Sequence, residues 1–292
     1  MCKGRCTAMF ETQPATVSLN RANLLQGRWS GLVAILALIG LWWLAALMVQ
    51  ANLMRGEIFL PSPLQVIEAI PRLSVFAGAS TPQTFSNGLW VIAVNTGSSA
   101  LTLVGGLTIG GGLGIGLGLA FGWSATLRLV LEGPFLLIRV IPLFALLPLF
   151  LSWFGGTRTG AVSFVAFAVF SMLFVNTLEA IRNVSPLVQA YARTLGASRL
   201  RVYRCIVVPA IVPELIGGTR VVLGLSWAIL LAAEFLAAQS GIGRIMILAQ
   251  QYFDTSRVIL IVLLIMVYTL ALDRFVAAMG ARATRWVPRK DS

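Results

Sequence analysis

Histidine is absent from the 292 residues, and Asp and Glu together number only 10. The first absence removes His-based triads, His metal ligands and His general bases. Cysteine is nearly absent as well, with Cys2, Cys6 and Cys205. Cys2 and Cys6 form a lone C-x3-C in a polar tail with no second ligand pair, and Cys205 stands by itself, so all three are read as structural. Charged residues make up 11% of the chain and hydrophobic residues 58%. Soluble domains carry about 25% and about 45–50%. This composition excludes an ordinary soluble globule, a disordered chain and a disulfide-stapled one, and leaves a polytopic membrane protein. The length admits about six spans of ~20 residues each.

The apolar runs fall at 31–49, 96–122, 134–154, 161–181, 213–237 and 258–279. The first ~30 residues are polar, and a signal peptide would place its apolar region earlier and follow it with small residues. The first run is therefore expected to stay as a transmembrane helix. Between the first two runs, Leu60-Pro61-Ser62-Pro63 supplies a helix start, with Ser62 as cap and Pro63 at the first turn. Leu64, Ile67 and Ile70 then recur beside Gln65 and Glu68, as in an amphipathic interfacial helix. Of the 22 Lys and Arg residues, 15 lie in the two tails and in the loops near 123–133 and 182–210. Five lie in the opposite loops, and Arg139 and Arg220 fall within spans. The bias of positive charge toward the inner side places both tails in the cytoplasm. The expected organisation is a cytoplasmic tail (1–30), a first span (31–50), a periplasmic segment with a short amphipathic helix (51–95), a transmembrane core (96–280) and a cytoplasmic tail (281–292).

Eight glycines lie between Gly105 and Gly118. They lack the Gly-Lys-Ser/Thr ending of a phosphate loop, and the strand and acidic residue of a dinucleotide loop. Gly106, Gly110, Gly114 and Gly118 are spaced by four, so they share one helical face and predict a close helix–helix seam. A flexible gating element is the alternative for the same run.

The loop 183–209 is richer in signals. Ser185-Pro186 marks a helix start, and Leu187, Tyr191, Thr194 and Leu195 fall on one face. Gly196 interrupts as a left-handed cap would. Ser198 can cap a second short helix running to about Val207, and Pro209 is expected to end it. The outcome is a helix–Gly–helix elbow that presents Tyr191, Leu195, Ala197 and Leu200, ringed by arginines. Lipid-facing inside-positive charge is the plainer account of those arginines. Arg220 and Glu234, 14 residues apart, share a face of the predicted fifth span. That face is expected either to line a translocation path or to make separate ion pairs with neighbouring spans, and Ser226 and Trp227 are candidates for the same path.

The spacing Gly196, nine residues, Ile206, one residue, Val208-Pro209 resembles the cytoplasmic signature of ABC importer permeases, EAA, three residues, Gly, nine residues, Ile-x-Leu-Pro. The resemblance runs from about Leu60 to Trp286. It includes Leu60-Pro61-Ser62-Pro63, the proline-rich stretch from Arg139 to Leu149, and Trp153-Phe154-Gly155. Ala192-Arg193-Thr194-Leu195-Gly196-Ala197-Ser198 is similar to the coupling motif of the nitrate/sulfonate/taurine/bicarbonate branch. Gly218-Thr219-Arg220, Leu223 to Trp227, Ala233-Glu234 and Ser240 to Gly243 resemble that branch's fifth span and exit loop. Ala190 departs from the family's acidic residue, Tyr191 from its first alanine, and Val208 from leucine.

The resemblance implies an all-α type I importer (MetI-like) fold with about six spans. It also implies a coupling role for Tyr191, Ala192, Arg193, Leu195, Gly196, Ala197, Ser198, Leu200, Ile206 and Pro209. The implied partners are a second permease copy, two cytoplasmic ATPase subunits that hold ATP and magnesium, and a periplasmic solute-binding protein. No nucleic acid, and no cofactor or metal in this chain, is implied. The implied location is a bacterial inner membrane, the implied cargo a small anion, and the chain itself is not an enzyme. Two other classes are the alternatives. A secondary transporter or channel requires an inverted repeat, which the sequence does not display. An integral-membrane enzyme requires clustered catalytic groups, whereas Glu179, Glu214, Glu234 and Asp273 are scattered among different spans.

Overall fold

The computed structural model describes residues 21–285, apart from 79, 125, 127–129, 131–132, 135–139 and 238. The terminal residues that carry Cys2, Cys6 and most tail charges, and Arg139 of the proline-rich stretch, lie outside the described residues. All regular structure among the described residues is helical. The chain divides into two compact units, one up to Pro63 and one from Leu64.

The first unit contains α1 (Arg21–Asn52) and the short α2 (Gly56–Phe59). Arg55 turns the chain between them with φ 63°. The return segment is tied to α1 by Trp42 Nε1, which donates to the Pro61 carbonyl at 3.1 Å, and by Gln50 Nε2, which donates to that of Leu60 at 3.0 Å. From Val33 onward α1 exposes apolar side chains such as Leu36, Leu41 and Leu47, as a span surrounded by hydrocarbon does.

The second unit opens with α3 (Pro63–Arg72), which starts at the unit boundary, and a 3-10 turn (Leu73–Phe76). The helix falls where the sequence predicts it. Val66, Ala69 and Leu73 are buried, while Leu64 and Ile67 point out. The exposed Leu64 and Ile67 are left for a lipid interface. Then come α4 (Phe85–Trp123), α5 (Leu143–Phe154) and α6 (Arg158–Asn183). The elbow follows as α7 (Pro186–Thr194) and α8 (Arg199–Val202), and a π turn (Tyr203–Val207) leads into α9 (Val208–Ala237). The unit closes with α10 (Ile242–Gln251) and α11 (Thr255–Ala283).

Among the described residues, five helices are long and apolar enough to cross a membrane. Only the second half of the predicted third span is described, as the 12-residue α5. Helix α4 begins at Phe85, not near 96. Asn95 in this added stretch donates to the Val91 carbonyl at 2.9 Å, and its Oδ1 accepts from Gly241 N at 3.0 Å. Helix α10 lacks the length of a span and has no counterpart among the predicted elements.

Pro209 does not end the segment before it. Arg199–Leu236 runs as one helix of 38 residues. The π turn explains this continuity: Val208 N donates five residues back, to the Tyr203 carbonyl. The wider turn accommodates a ring that would clash in regular α geometry, and the helix continues past the one donor that Pro209 lacks.

The core of the second unit is the pairing of α4 with α6. Phe164, Val165, Ala168, Val169, Leu173 and Phe174 of α6 are buried. Gly106, Gly110, Gly114 and Gly118 face them. A Cβ at Gly114 would sit 2.8 Å from the Phe170 carbonyl oxygen, and one at Gly110 would overlap the Ala166 carbonyl. Lipid tails are as apolar as leucine, so this pairing is held by dispersion at short range, which only a hydrogen at Cα allows. Gly112 and Gly116, on other faces of α4, have open space where a Cβ would stand.

Candidate functional site

The elbow is built from local signals. Helix α7 starts at Pro186, with Ser185 as its cap residue; the Ser185 carbonyl accepts from Gln189 N, and its hydroxyl makes no cap bond. At the other end Gly196 has φ +84°. Gly196 N donates to the Arg193 carbonyl at 2.9 Å and Ala197 N to that of Ala192 at 3.1 Å, the paired bonds of a Schellman cap. No atom lies within 4 Å of a Cβ at Gly196, so only its backbone conformation demands glycine. Ser198 then caps α8, its hydroxyl accepting from Arg201 N at 3.4 Å.

The elbow is fastened to the bundle through its second arm. Tyr203 donates its hydroxyl hydrogen to the Leu119 carbonyl at 2.6 Å, and Arg199 Nη2 donates to the Trp123 carbonyl at 2.9 Å. The Arg199 guanidinium lies over the Trp123 ring at 5.1 Å, and that ring meets Tyr203 edge-on at 5.1 Å. Val207 and Ile211 pack with Ala180 and Ile181 beneath. The first arm projects: Leu187 is 77% exposed, Tyr191 66% and Leu195 72%. Leu200 is exposed beside them, and Ala192, Ala197 and Ile206 are half-buried. The structure thus brings Tyr191, Leu195 and Leu200 to one exposed elbow, joined without a break to α9.

At the far end of α9, Glu234 is buried at 3% exposure. Its Oε1 accepts from the Ser99 hydroxyl at 2.7 Å and its Oε2 from Gly243 N at 2.7 Å. Ser99 Oγ also accepts from Ile242 N at 2.8 Å, and Asn95 from Gly241 N. Three successive N–H groups at the start of α10 are therefore held by side chains of α4 and α9. Next to this clamp, Arg158 Nη2 donates to the Ser98 hydroxyl at 3.0 Å, and Ser98 and Ser240 share a bond of 2.9 Å. Arg220 pairs with Asp273 of α11 through two parallel bonds of 2.7 Å. Ser226 is fully buried and bonded to the Val222 carbonyl, and Trp227 is buried and stacked on Tyr268.

Arg220, Trp227 and Glu234 of α9 thus engage other helices, and Ser226 is buried. A cavity of about 400 Å³ opens on a different face, along Gly218, Val221, Val222 and Leu225, opposite Met172 and Asn176 of α6. Asn95, Ser99 and Asp273 carry these contacts yet stand out by no sequence spacing of their own. Among the described residues no cluster of three or more metal-ligating side chains occurs.

A bundle of membrane-length helices, with a fastened, protruding elbow continuous with one span, defines a membrane-embedded transport subunit. The chain belongs to the family of binding-protein-dependent transport system inner membrane components, whose profile matches residues 112–285. Among curated relatives, the taurine transport system permease protein TauC of Escherichia coli (strain K12) is 30% identical over 85% of this chain and 86% of its own length. The nitrate import permease protein NrtB of Leptolyngbya laminosa is 29% identical over 88% and 86%. The riboflavin transport system permease protein RibX of Chloroflexus aurantiacus is 32% identical over 95% and 99%. A chain of the inward-facing MetNI methionine ABC transporter superposes with TM-score 0.50 at 18% identity, covering 66% of this chain and 92% of that one, which supports the same fold.

Proposed function

We propose that two copies of this chain form the membrane path of an ATP-driven importer, and that a periplasmic binding protein delivers a small anion of the sulfonate, taurine, nitrate or bicarbonate class. The elbow 183–209 docks in a groove of a separate cytoplasmic ATPase subunit, which holds the ATP and magnesium. The observation that carries this reading is the exposed Leu187–Tyr191–Leu195 stripe on an arm tied to α4 and continuous with α9.

The mechanism follows from linkage. ATP favours a closed pair of ATPase subunits, and closure draws the two elbows together. Because α8, the π turn and α9 form one helix, displacement at the elbow moves the fifth span as a rigid body. The two states of the path are then biased by nucleotide, and hydrolysis resets them. The path runs along the Gly218–Leu225 face of α9 and the Met172–Asn176 face of α6, a second copy closing its open side. Arg220 and Glu234 hold the helices that frame it.

A flavin or similar neutral heterocycle is the second reading of the cargo. The near-complete alignment with the riboflavin permease supports it, as does the apolar lining contributed by Met172, Val221, Val222 and Leu225. The test is uptake into proteoliposomes containing this permease, its ATPase and its binding protein, with labelled taurine, nitrate and riboflavin. The proposal expects ATP-dependent uptake of an anion. Riboflavin uptake alone would establish the second reading, and uptake without the ATPase would contradict an ATP-driven importer.

A further inference from the structure

A cleft of about 210 Å³ lies between the elbow and the end of α4, lined in part by Trp123, Gln189, Arg193, Arg199 and Tyr203. Two guanidinium groups border it, and the segment from Val184 to Pro213 contains four arginines and no Asp or Glu. Arg199 commits one N–H to the Trp123 carbonyl and its face to the Trp123 ring, which leaves further donors of its fork free. Arg193 has no hydrogen-bond or ion-pair partner among the described residues for its guanidinium. Gln189, one turn before Arg193 on α7, adds an amide whose Nε2 donates one hydrogen to the Val184 carbonyl at 3.4 Å and keeps a second.

The cleft does not face the way the apolar stripe faces. Successive helical residues are about 100° apart, so Gln189 and Arg193 lie about 200° round α7 from Tyr191. The stripe points away from the bundle, and the basic pair points back at it. Trp123 and Tyr203 at its wall are the residue types that gather at the level of lipid headgroups.

We propose that this cleft is a phosphate site, taking a phosphodiester or phosphate monoester group between Arg193 and Arg199 on the membrane side of the elbow. Two planar forks and an amide converging on one small volume suit tetrahedral oxyanions, and basic pockets at the inner membrane surface are where anionic headgroups bind. The inference rests on the proposed orientation of the elbow. A bound phosphate bridges α7 to the Arg199–Trp123 corner, so it stiffens the arm that carries the apolar stripe while leaving that stripe free for the ATPase.

The test uses the purified transporter complex, stripped of lipid in neutral detergent and examined by native mass spectrometry. Phosphatidylglycerol is titrated against phosphatidylcholine, with and without millimolar inorganic phosphate. Phosphatidylglycerol is expected to bind preferentially, and Arg193→Gln to weaken it roughly ten-fold. Arg193→Lys should restore part of the loss. Arg201→Gln removes the same charge from an exposed position outside the cleft and should leave binding unchanged. Displacement by inorganic phosphate identifies a free phosphate as the ligand, and persistence identifies the lipid headgroup. Equal weakening by Arg193→Gln and Arg201→Gln, or no preference for phosphatidylglycerol, overturns the site in favour of diffuse inside-positive charge. The same spectra report whether the ATPase stays bound, so loss of the coupling partner is read separately from loss of phosphate.

Discussion

Glu234 accepts one hydrogen from a hydroxyl of α4 and one from a backbone N–H of α10, and its burial makes both bonds matter. Glutamine at this position keeps the size but turns one acceptor into a donor, which then faces a donor. Hydrogen bonds to charged groups contribute about 1.5–3 kcal/mol each, so Glu234→Gln should destabilise the protein by about that amount. The predicted signature is a lower melting temperature in detergent with loss of the α4–α10 contact, read by a disulfide trap between cysteines placed at Ser98 and Ser240. An unchanged melting temperature with altered transport would return Glu234 to the path. From sequence alone Glu234 was legible as an ionisable residue in a span, and its role was not. Its partners lie 135 and nine residues away, and no periodicity links a serine, a glycine and a glutamate over such separations.

At the scale of elements, legibility tracks how local the cause is. The glycine period is written in one helix, so the seam could be read before its partner was known, and α6 supplies that partner. Gly196 and Ser198 were legible for the same reason, since a left-handed cap and an N-cap depend on a handful of adjacent residues. The continuity through Pro209 was not legible, because the π turn that absorbs it depends on Tyr203 being anchored to Leu119 on another helix. Helix α10 was missed because its start is stabilised by side chains of α4 and α9. The seam yields a paired prediction. Gly110→Ala forces a methyl into the Ala166 carbonyl and should cost about 1–3 kcal/mol through overpacking. Gly112→Ala meets open space and should be neutral, or stabilising by up to about 1 kcal/mol through helix propensity. Thermal melts of the two variants check this, and equal effects would place the α4–α6 contact elsewhere.

For the whole molecule, the family and the helical fold were both legible, because several motifs in the right order constrain a chain more than any one does. The orientation of the chain in its membrane rests on charge distribution and has its own test. With Cys2, Cys6 and Cys205 replaced, a cysteine at Ser198 should resist an impermeant thiol reagent applied outside intact cells, and one at Ser240 should react. The reverse pattern would invert the topology and remove the elbow from the cytoplasm.

The account depends most on the elbow acting as the coupling device. Gly196 adopts φ +84° with open space around it. A β-branched residue there suffers a conformational cost of about 1–2 kcal/mol or straightens the arm, and either displaces Tyr191 and Leu195. The direct measurement is co-purification of the ATPase, together with substrate-stimulated ATP hydrolysis, for wild type, Gly196→Asn and Gly196→Val. Asparagine tolerates the left-handed region and should retain most of both. Gly196→Val should insert into the membrane normally, yet lose its ATPase or the stimulation of hydrolysis. Full partner binding and full stimulated hydrolysis in Gly196→Val would contradict the account.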